Sequence, residues 1–185
     1  MIRGWARNWG ATSAEVTRTY PADNYLAGPV ERLTRAVTVR APAPVAYRWL
    51  CQTAVAPYSY DWIDHWGRRS PRILTPGAEK LAAGQQLMVF TLVDIEPGHQ
   101  FSGRSFPAAE RLFGPLAGTY AIEPLDDQNC RLICRLVLGS GRFGATLLAW
   151  GDFVMMRRQL LNLKGLAERD ARTLAGFGAM TELTP

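Results

Sequence analysis

Apolar and polar residues alternate with a period of two in several stretches of the chain, and this pattern predicts β-strands. In the first stretch Leu33, Val37 and Val39 share one face. In the last stretch Arg131 and Arg135 oppose a row of apolar residues, which predicts one face in the core and the other in water. The connections are short, so neighbouring strands should pair antiparallel. The predicted strands are residues 33–40, 86–95, 99–106, 116–123 and 129–138.

A helical spacing of apolar residues predicts two short helices and one long helix. The first short helix begins within Ala41–Pro44, because proline is tolerated in a first turn, and it continues through Leu50. The second covers Pro57 to Gly67 and contains four aromatic residues. The long helix extends from Phe143 to Arg172, on the order of 45 Å. Its two apolar stripes lie at different angles around the helix axis, which predicts that other parts of the protein cover most of the helix surface.

The length and composition fit one folded domain with an appended arm. A chain of 185 residues with 48% hydrophobic and 20% charged residues is typical of a globular protein. Residues 1–32 mix Trp, Gly, Pro and charged residues without a sustained period, which predicts an arm packed on the domain. Residues 33–175 form the predicted domain, and residues 176–185 form a C-terminal tail.

The charge pattern and the cysteines narrow the class of protein. The 21 basic residues exceed the 16 acidic ones but are scattered, so we expect no nucleic-acid partner. The three cysteines form no CxxC pair and the N-terminus lacks the apolar stretch of a signal peptide, so we expect a cytoplasmic protein.

The apolar region from Phe143 to Met156 is shorter than the roughly 20 residues that span a bilayer. His65 and His99 lack the spacing of metal or nucleophile motifs, so we expect no metal ion and no cofactor.

The order of these elements, a strand, two short helices, antiparallel strands and a long C-terminal helix, resembles the helix-grip or START-like superfamily, also called SRPBCC or the polyketide cyclase and lipid transport group. More specific segments strengthen the resemblance to a bacterial branch of this superfamily. They are Trp9-Gly10-Ala11-Thr12, Ala41-Pro42 leading to Trp49-Leu50 and Gln52, Tyr58-Ser59-Tyr60-Asp61-Trp62, and Met156-Arg157-Arg158-Gln159-Leu160-Leu161-Asn162-Leu163-Lys164.

This resemblance implies an α+β helix-grip fold, in which a curved antiparallel sheet wraps around a long C-terminal helix with two short capping helices. It also implies a deep cavity between sheet and helix, suited to lipids, polyketides or other small hydrophobic molecules. The superfamily includes carriers, cyclases, hydrolases and regulatory proteins, so the fold alone does not imply one function.

The aromatic segment after the first short helix is the least generic part of the chain. One interpretation makes it a pocket lip, where the hydroxyls of Tyr58 and Tyr60 and the carboxylate of Asp61 orient a ligand against Trp62. The alternative is an aromatic lock that fastens the cap to the sheet, with Asp61 as a capping or turn residue.

Other candidate residues lie on the long helix and on the strands that face it. Asp152 lies at the edge of an apolar stripe, where low polarity would raise the pKa of its carboxyl group, and Arg104 could pair with it. A structural ion pair explains the same two residues. Four further residues are candidate cavity walls, with ordinary core packing as the alternative. They are Tyr120, Trp150, Phe153 and Met156.

Three functions remain open at this point. The first is binding or carriage of a small hydrophobic ligand. The second is an enzyme of the cyclase, dehydrase or isomerase type that uses the same cavity, with Asp152, Tyr60 or Asp61 moving a proton. The third is an interaction or regulatory module, because both faces of the predicted strand 86–95 are apolar. The arm or a second copy of the chain in a homodimer would cover that strand.

Overall fold

The computed structural model describes residues 7–60, 69–139 and 145–181, and within the last range it describes the side chains of residues 154–176. These ranges form a curved antiparallel sheet of six strands, short helices and a long C-terminal helix. The predicted α+β helix-grip architecture is therefore confirmed.

The sheet joins the first strand in the chain to the last. The strands are β1 (Val30–Val39), β2 (Gln86–Leu87), β3 (Phe90–Glu96), β4 (Gln100–Ser105), β5 (Leu116–Pro124) and β6 (Cys130–Gly139). Their order across the sheet is β1-β6-β5-β4-β3-β2, and every neighbouring pair is antiparallel. This order places β6, the most apolar strand, between two long partners.

The described helices differ from the predicted set in three places, because one helix in the arm and one before β5 were not predicted and the described part of the predicted second short helix is not helical. In the described ranges the α-helices are α1 (Ser13–Thr17), α2 (Ala43–Cys51), α3 (Pro107–Phe113) and α4 (Ala145–Thr181), and short 3₁₀ helices cover Pro21–Asn24 and Gln52–Ala54. Helix α2 is the predicted first short helix. Of the predicted second one, residues 57–60 are not helical and residues 61–67 lie outside the described ranges. Helix α3 was not predicted, although Pro107 in its first turn and Gly114 just after its end are common helix boundaries.

The predicted strand 86–95 is a tight hairpin, so its prediction as one strand is wrong. Met88 has φ 53°, in the left-handed region, and the chain reverses there so that Leu87 pairs with Phe90. A register shift between Leu92 and Asp94 then leaves Val93 44% exposed. The apolar residues on both sides of this segment thus reflect a turn and a bulge.

Each face of the sheet has its own cover. Helix α4 packs on one side, which we call the helix face, where Leu160 lies in one cluster with Leu132 of β6. On the opposite side, which we call the arm face, the ring of Tyr20 packs against Ala36 and Ile133. The arm face is therefore covered by the part of the chain that precedes β1.

The prediction that Arg131 and Arg135 face water is wrong, because the arm covers them. Arg135 is 2% exposed, and its guanidinium donates to the carbonyl oxygens of Val16 and Arg18 at 2.9 and 2.6 Å. Arg131 donates from Nε and Nη2 to the two carboxylate oxygens of Glu15 at 2.7 and 2.8 Å. Two arginines of one strand thus bind the arm.

The arm is also bound at the edge of the sheet. The backbone N–H of Ala36 donates to the carbonyl oxygen of Trp9 at 3.1 Å, which satisfies a group on the free edge of β1. Gly10 follows with φ 69°, and a Cβ atom there would overlap the carbonyl oxygen of Ala36. Thr12 then caps α1 in a reciprocal capping box with Glu15. The Trp9–Thr12 segment turns the chain from the sheet edge onto the arm face.

Candidate functional site

The helix face of the sheet carries two apolar clusters. The larger one contains Leu132 and Ile122 of the sheet and is packed against Leu160 and Leu163 of α4. The smaller one lies where β6 ends and β5 begins, next in the chain to the start of α4. Its buried members are Leu33, Phe90, Leu116, Leu136 and Leu138.

A row of polar and aromatic side chains crosses the helix face at the edge of the larger cluster that adjoins the smaller one. Arg35 of β1 pairs with Cys134, Cys134 pairs with Tyr120, and Tyr120 pairs with Phe101. Paired residues share one face of a sheet, so all four side chains lie on the helix face. Arg35 is 1% exposed and Tyr120 is 2% exposed. We call this set the Arg35 row.

Gln159 links the Arg35 row to the segment that follows α2. The hydroxyl of Tyr120 donates to Oε1 of Gln159 at 2.8 Å. Nε2 of Gln159 donates to the carbonyl oxygen of Pro57 at 2.5 Å, and Nδ2 of Asn162 donates to that of Tyr58 at 2.8 Å. Two side-chain amides of α4 therefore hold residues 57 and 58 against the helix.

The two tyrosines of the predicted lip have different environments. Tyr58 is 2% exposed, has φ 55°, and its ring meets that of Trp49 edge to face with centroids 6.2 Å apart. Tyr60 is only half-buried, and the guanidinium of Arg158 lies 5.9 Å from its ring centroid. Burial of Tyr58 fits the aromatic-lock interpretation, whereas Tyr60 is at the surface. Asp61 and Trp62 lie outside the described residues.

The other predicted site residues lie in different parts of the structure. Tyr120 and Met156 lie in the larger cluster of the helix face, with Met156 8% exposed. Arg104 pairs with Ala117, whose neighbours in its cluster belong to the arm face, and Arg104 itself is exposed. Arg104 therefore lies on the arm face, whereas its predicted partner Asp152 belongs to α4, which packs on the helix face. Trp150, Asp152 and Phe153 belong to α4, but their side chains lie outside the described part.

Several residues that shape this interior were not predicted. Arg35 has the same strand parity as Leu33 and Val37, so a charge within an apolar face was a visible signal. Gln159, 3% exposed, stands among the buried apolar residues of α4. The glycines 103 and 118 pair across β4 and β5, and a Cβ atom on Gly118 would come within 3.0 Å of the Phe90 ring.

The buried thiols have raised pKa values, as expected for cysteines packed in a protein core. Burial raises the pKa of Cys51 to about 12, although the side-chain hydrogen bond with Tyr47 acts in the opposite direction. Burial likewise raises the pKa of Cys130 to about 11. Neither thiol is suited to nucleophilic chemistry, because the thiolate is the reactive form.

Two searches of the described residues returned nothing. No three His, Cys, Asp or Glu side chains gather there as a metal site would require. Among the described helices, none has both the length and the apolar composition needed to cross a membrane.

Comparison with known proteins adds information about the fold. No family model matches the sequence, and no curated protein matches it either. Solved structures do match. Protein MLL2253 from Mesorhizobium loti superposes with a TM-score of 0.50 at 14% identity, over 75% of this chain and 98% of that one.

The chain therefore shares its fold with protein MLL2253. The Zhui aromatase/cyclase from Streptomyces sp. R1128 has a TM-score of 0.49 at 17% identity, over 76% of this chain and 95% of that one. A Thermobifida fusca protein has a TM-score of 0.48 at 19% identity, over 75% of this chain and 93% of that one. At such identities the likeness concerns the fold alone.

Proposed function

We propose that this protein binds a small hydrophobic ligand between the helix face of its sheet and the first part of α4. The observation that carries the proposal is the Arg35 row. Two buried polar side chains, Arg35 and Tyr120, lie on either side of Cys134 in one row across the sheet, at the edge of the larger apolar cluster that adjoins the smaller one. Ligand sites in proteins are mostly apolar with a small number of placed polar groups, which is the arrangement seen here.

The smaller cluster supplies an apolar wall for the body of such a ligand. Leu136 pairs with Gly118, and Gly118 pairs with Gly103. Because the two glycines contribute no side chain, the ring of Phe90 forms the surface in the middle of this wall. A ring is a flat, adaptable surface for an apolar molecule. The guanidinium of Arg35 would then orient a carbonyl, hydroxyl or carboxylate group of the ligand.

The larger cluster has a different role in this proposal. Leu160 and Leu163 are 0% and 1% exposed, so the second half of α4 is packed on the sheet. The hydrogen bond from Gln159 to Pro57 and the one from Asn162 to Tyr58 hold that half against residues 57 and 58. This packing fixes one end of α4 and supports a ligand space only toward its other end.

The test is native mass spectrometry of protein purified without denaturation from its source cells. The expected spectrum shows a bound mass in addition to the 20.5 kDa chain, and denaturation releases it. A panel of fatty acids, sterols and aromatic polyketides should also raise the melting temperature. A chain that carries no extra mass and whose melting temperature is unmoved by the panel would refute ligand binding.

A pair of variants tests the location. Leu136→Phe adds volume to the smaller cluster and should reduce the bound fraction. Leu112→Phe makes the same change on α3, where Leu112 is 70% exposed, and should leave the bound fraction unchanged. If Leu136→Phe folds and retains the ligand, the ligand lies elsewhere.

Two expectations about cell location and assembly also belong to this proposal. A cytoplasmic location is supported by the three buried cysteines, which form no disulfide. A homodimer contact through β3 is supported by Val93, 44% exposed at the bulge. Size-exclusion chromatography with light scattering at micromolar concentration tests the contact, and a monomer would contradict it.

A further inference from the structure

A concave region lies on the side of α4 that faces away from the sheet. Leu160 and Leu163 face the sheet, and at 3.6 residues per turn Arg158 and Gly165 fall on the opposite side of the helix. These two residues line a cleft of about 630 Å³ whose far wall comes from residues 58–60 and 69–72. The cleft is therefore distinct from the proposed ligand space on the helix face.

The described lining of this cleft is strongly basic. It contains Arg69, Arg72, Arg158 and Arg169, and it contains no Asp or Glu. Chain segments far apart in sequence contribute these arginines, two from the segment before β2 and two from α4. The carboxylate of Asp170 pairs with Arg169. The excess positive charge of the described lining therefore comes from Arg69, Arg72 and Arg158, and it favours an anion.

Two of the arginines are oriented by contacts with the protein. Arg169 donates from Nε and Nη2 to the carboxylate of Asp170 at 2.9 and 2.7 Å, and from Nη2 to the carbonyl oxygen of Arg72 at 2.7 Å. The guanidinium of Arg158 lies 5.9 Å from the ring centroid of Tyr60. An oriented guanidinium loses less freedom when it binds a ligand than a free side chain does.

The cleft also has an apolar surface beside these charges. Leu161 and Leu166 of α4, Pro71 and the ring of Tyr60 line it together with the arginines. A volume of about 630 Å³ falls within the range of small-molecule sites. Cationic groups beside apolar walls match a molecule that has both an anionic group and an apolar body.

We propose that this cleft binds a small organic anion, an aromatic or aliphatic carboxylate, sulfonate or phosphate. Its anionic group contacts Arg158 and the neighbouring arginines, and its body lies on Leu161 and Tyr60. Recognition by charge distinguishes this site from the apolar space on the helix face, where a single buried arginine orients the ligand.

The test uses two fluorescent probes that share an aromatic body. 8-Anilinonaphthalene-1-sulfonate carries a sulfonate group, and N-phenyl-1-naphthylamine is the same body without it. Each is titrated into the wild type, into Arg158→Gln and into Arg157→Gln. Arg157 is a matched control, because it is the adjacent residue of α4, is exposed, and lies over an aromatic ring, with its guanidinium 5.2 Å from the Trp9 centroid.

The expected result is selective. Arg158→Gln should weaken binding of the sulfonate probe about fivefold, the loss of roughly 1 kcal/mol for one exposed charge contact. It should leave the neutral probe unchanged, and Arg157→Gln should change neither. Raising the salt concentration should weaken only the sulfonate probe. Equal affinity of wild type and Arg158→Gln for the sulfonate, or equal losses in the two variants, would overturn the proposal.

Discussion

Tyr120 and Gln159 are joined by one buried hydrogen bond of 2.8 Å, from the hydroxyl on β5 to Oε1 on α4. The same glutamine donates to Pro57, so the middle of the sheet, the long helix and the segment after α2 meet at one side chain. A change at either residue should therefore be detected as a change in the stability of the whole domain.

Tyr120→Phe should lower the free energy of unfolding by about 1–3 kcal/mol, because the buried Oε1 of Gln159 loses its donor. Urea denaturation measures this. Tyr60→Phe is the control at a half-buried tyrosine and should cost less than about 0.5 kcal/mol. In a Gln159→Met background the Tyr120→Phe substitution should cost less than it does in the wild type. Equal costs in the two backgrounds would contradict coupling between these residues.

Acidification should loosen the arm. Burial raises the pKa of Glu15, but hydrogen bonds from Arg131 and Thr12 outweigh it, and the pKa is lowered overall. The ionised carboxylate thus stabilises the fold above the ordinary glutamate value of about 4.3, and this contribution is lost as the pH falls through the lowered pKa.

Glu15→Gln should therefore cost about 2 kcal/mol at pH 7, less than for a fully buried pair because Arg131 is partly exposed. The difference from the wild type should shrink at pH 3. Urea denaturation at both pH values tests this. Glu110→Gln, at an exposed position on α3, is the control and should behave as the wild type does. A difference for Glu15→Gln that is the same at both pH values would count against an electrostatic role.

Gly10→Ala should detach the start of the arm. Both Gly10 and Gly28 have positive φ, 69° and 83°, so alanine at either costs about 1–2 kcal/mol of backbone strain. Only at Gly10 would the new Cβ also overlap the carbonyl oxygen of Ala36, which adds about 1–3 kcal/mol.

Thermal unfolding and limited proteolysis measure this difference. Gly10→Ala should melt at a lower temperature than Gly28→Ala and should be cleaved faster within the arm. If both variants lose the same stability, close packing of Gly10 on β1 is not what holds the arm.

The cysteines should be inert to Ellman's reagent in the native protein. All three are buried, and burial raises the pKa of Cys51 to about 12 and that of Cys130 to about 11. No thiol should react at pH 8 within minutes, and three should react in guanidinium chloride. Fast reaction of a native thiol would show that the core opens locally.

Local patterns in the sequence predicted most of the fold. Strands such as β6 alternate apolar and polar residues, and α4 carries apolar residues at helical spacing, so these elements were visible in their own segments. The hairpin at Met88 was missed because no Gly, Pro, Asn or Asp marks the turn. Arg131 and Arg135 were assigned to water because their cover, the arm, lies more than 100 residues earlier in the chain.

Of the two candidate sites, the sequence contains a local signal for one and none for the other. The buried position of Arg35 was visible from its strand parity, since it lies on the same face of the strand as Leu33 and Val37. The basic cleft was not visible, because Arg72 and Arg158 come together only when α4 packs beside the segment before β2. Juxtapositions made by tertiary structure leave no local pattern.

The pairing of β1 with β6 has a consequence for synthesis on the ribosome. Val37 of β1 can pair with Leu132 of β6 only after the residues between them have been synthesised. At roughly 5–20 residues per second, this synthesis takes about 5–20 s. During this time β1 has an unpaired edge and Tyr20 of the arm has no surface to cover. The nascent chain therefore carries its first strand as an open template, and native structure closes only after almost the whole domain has been translated.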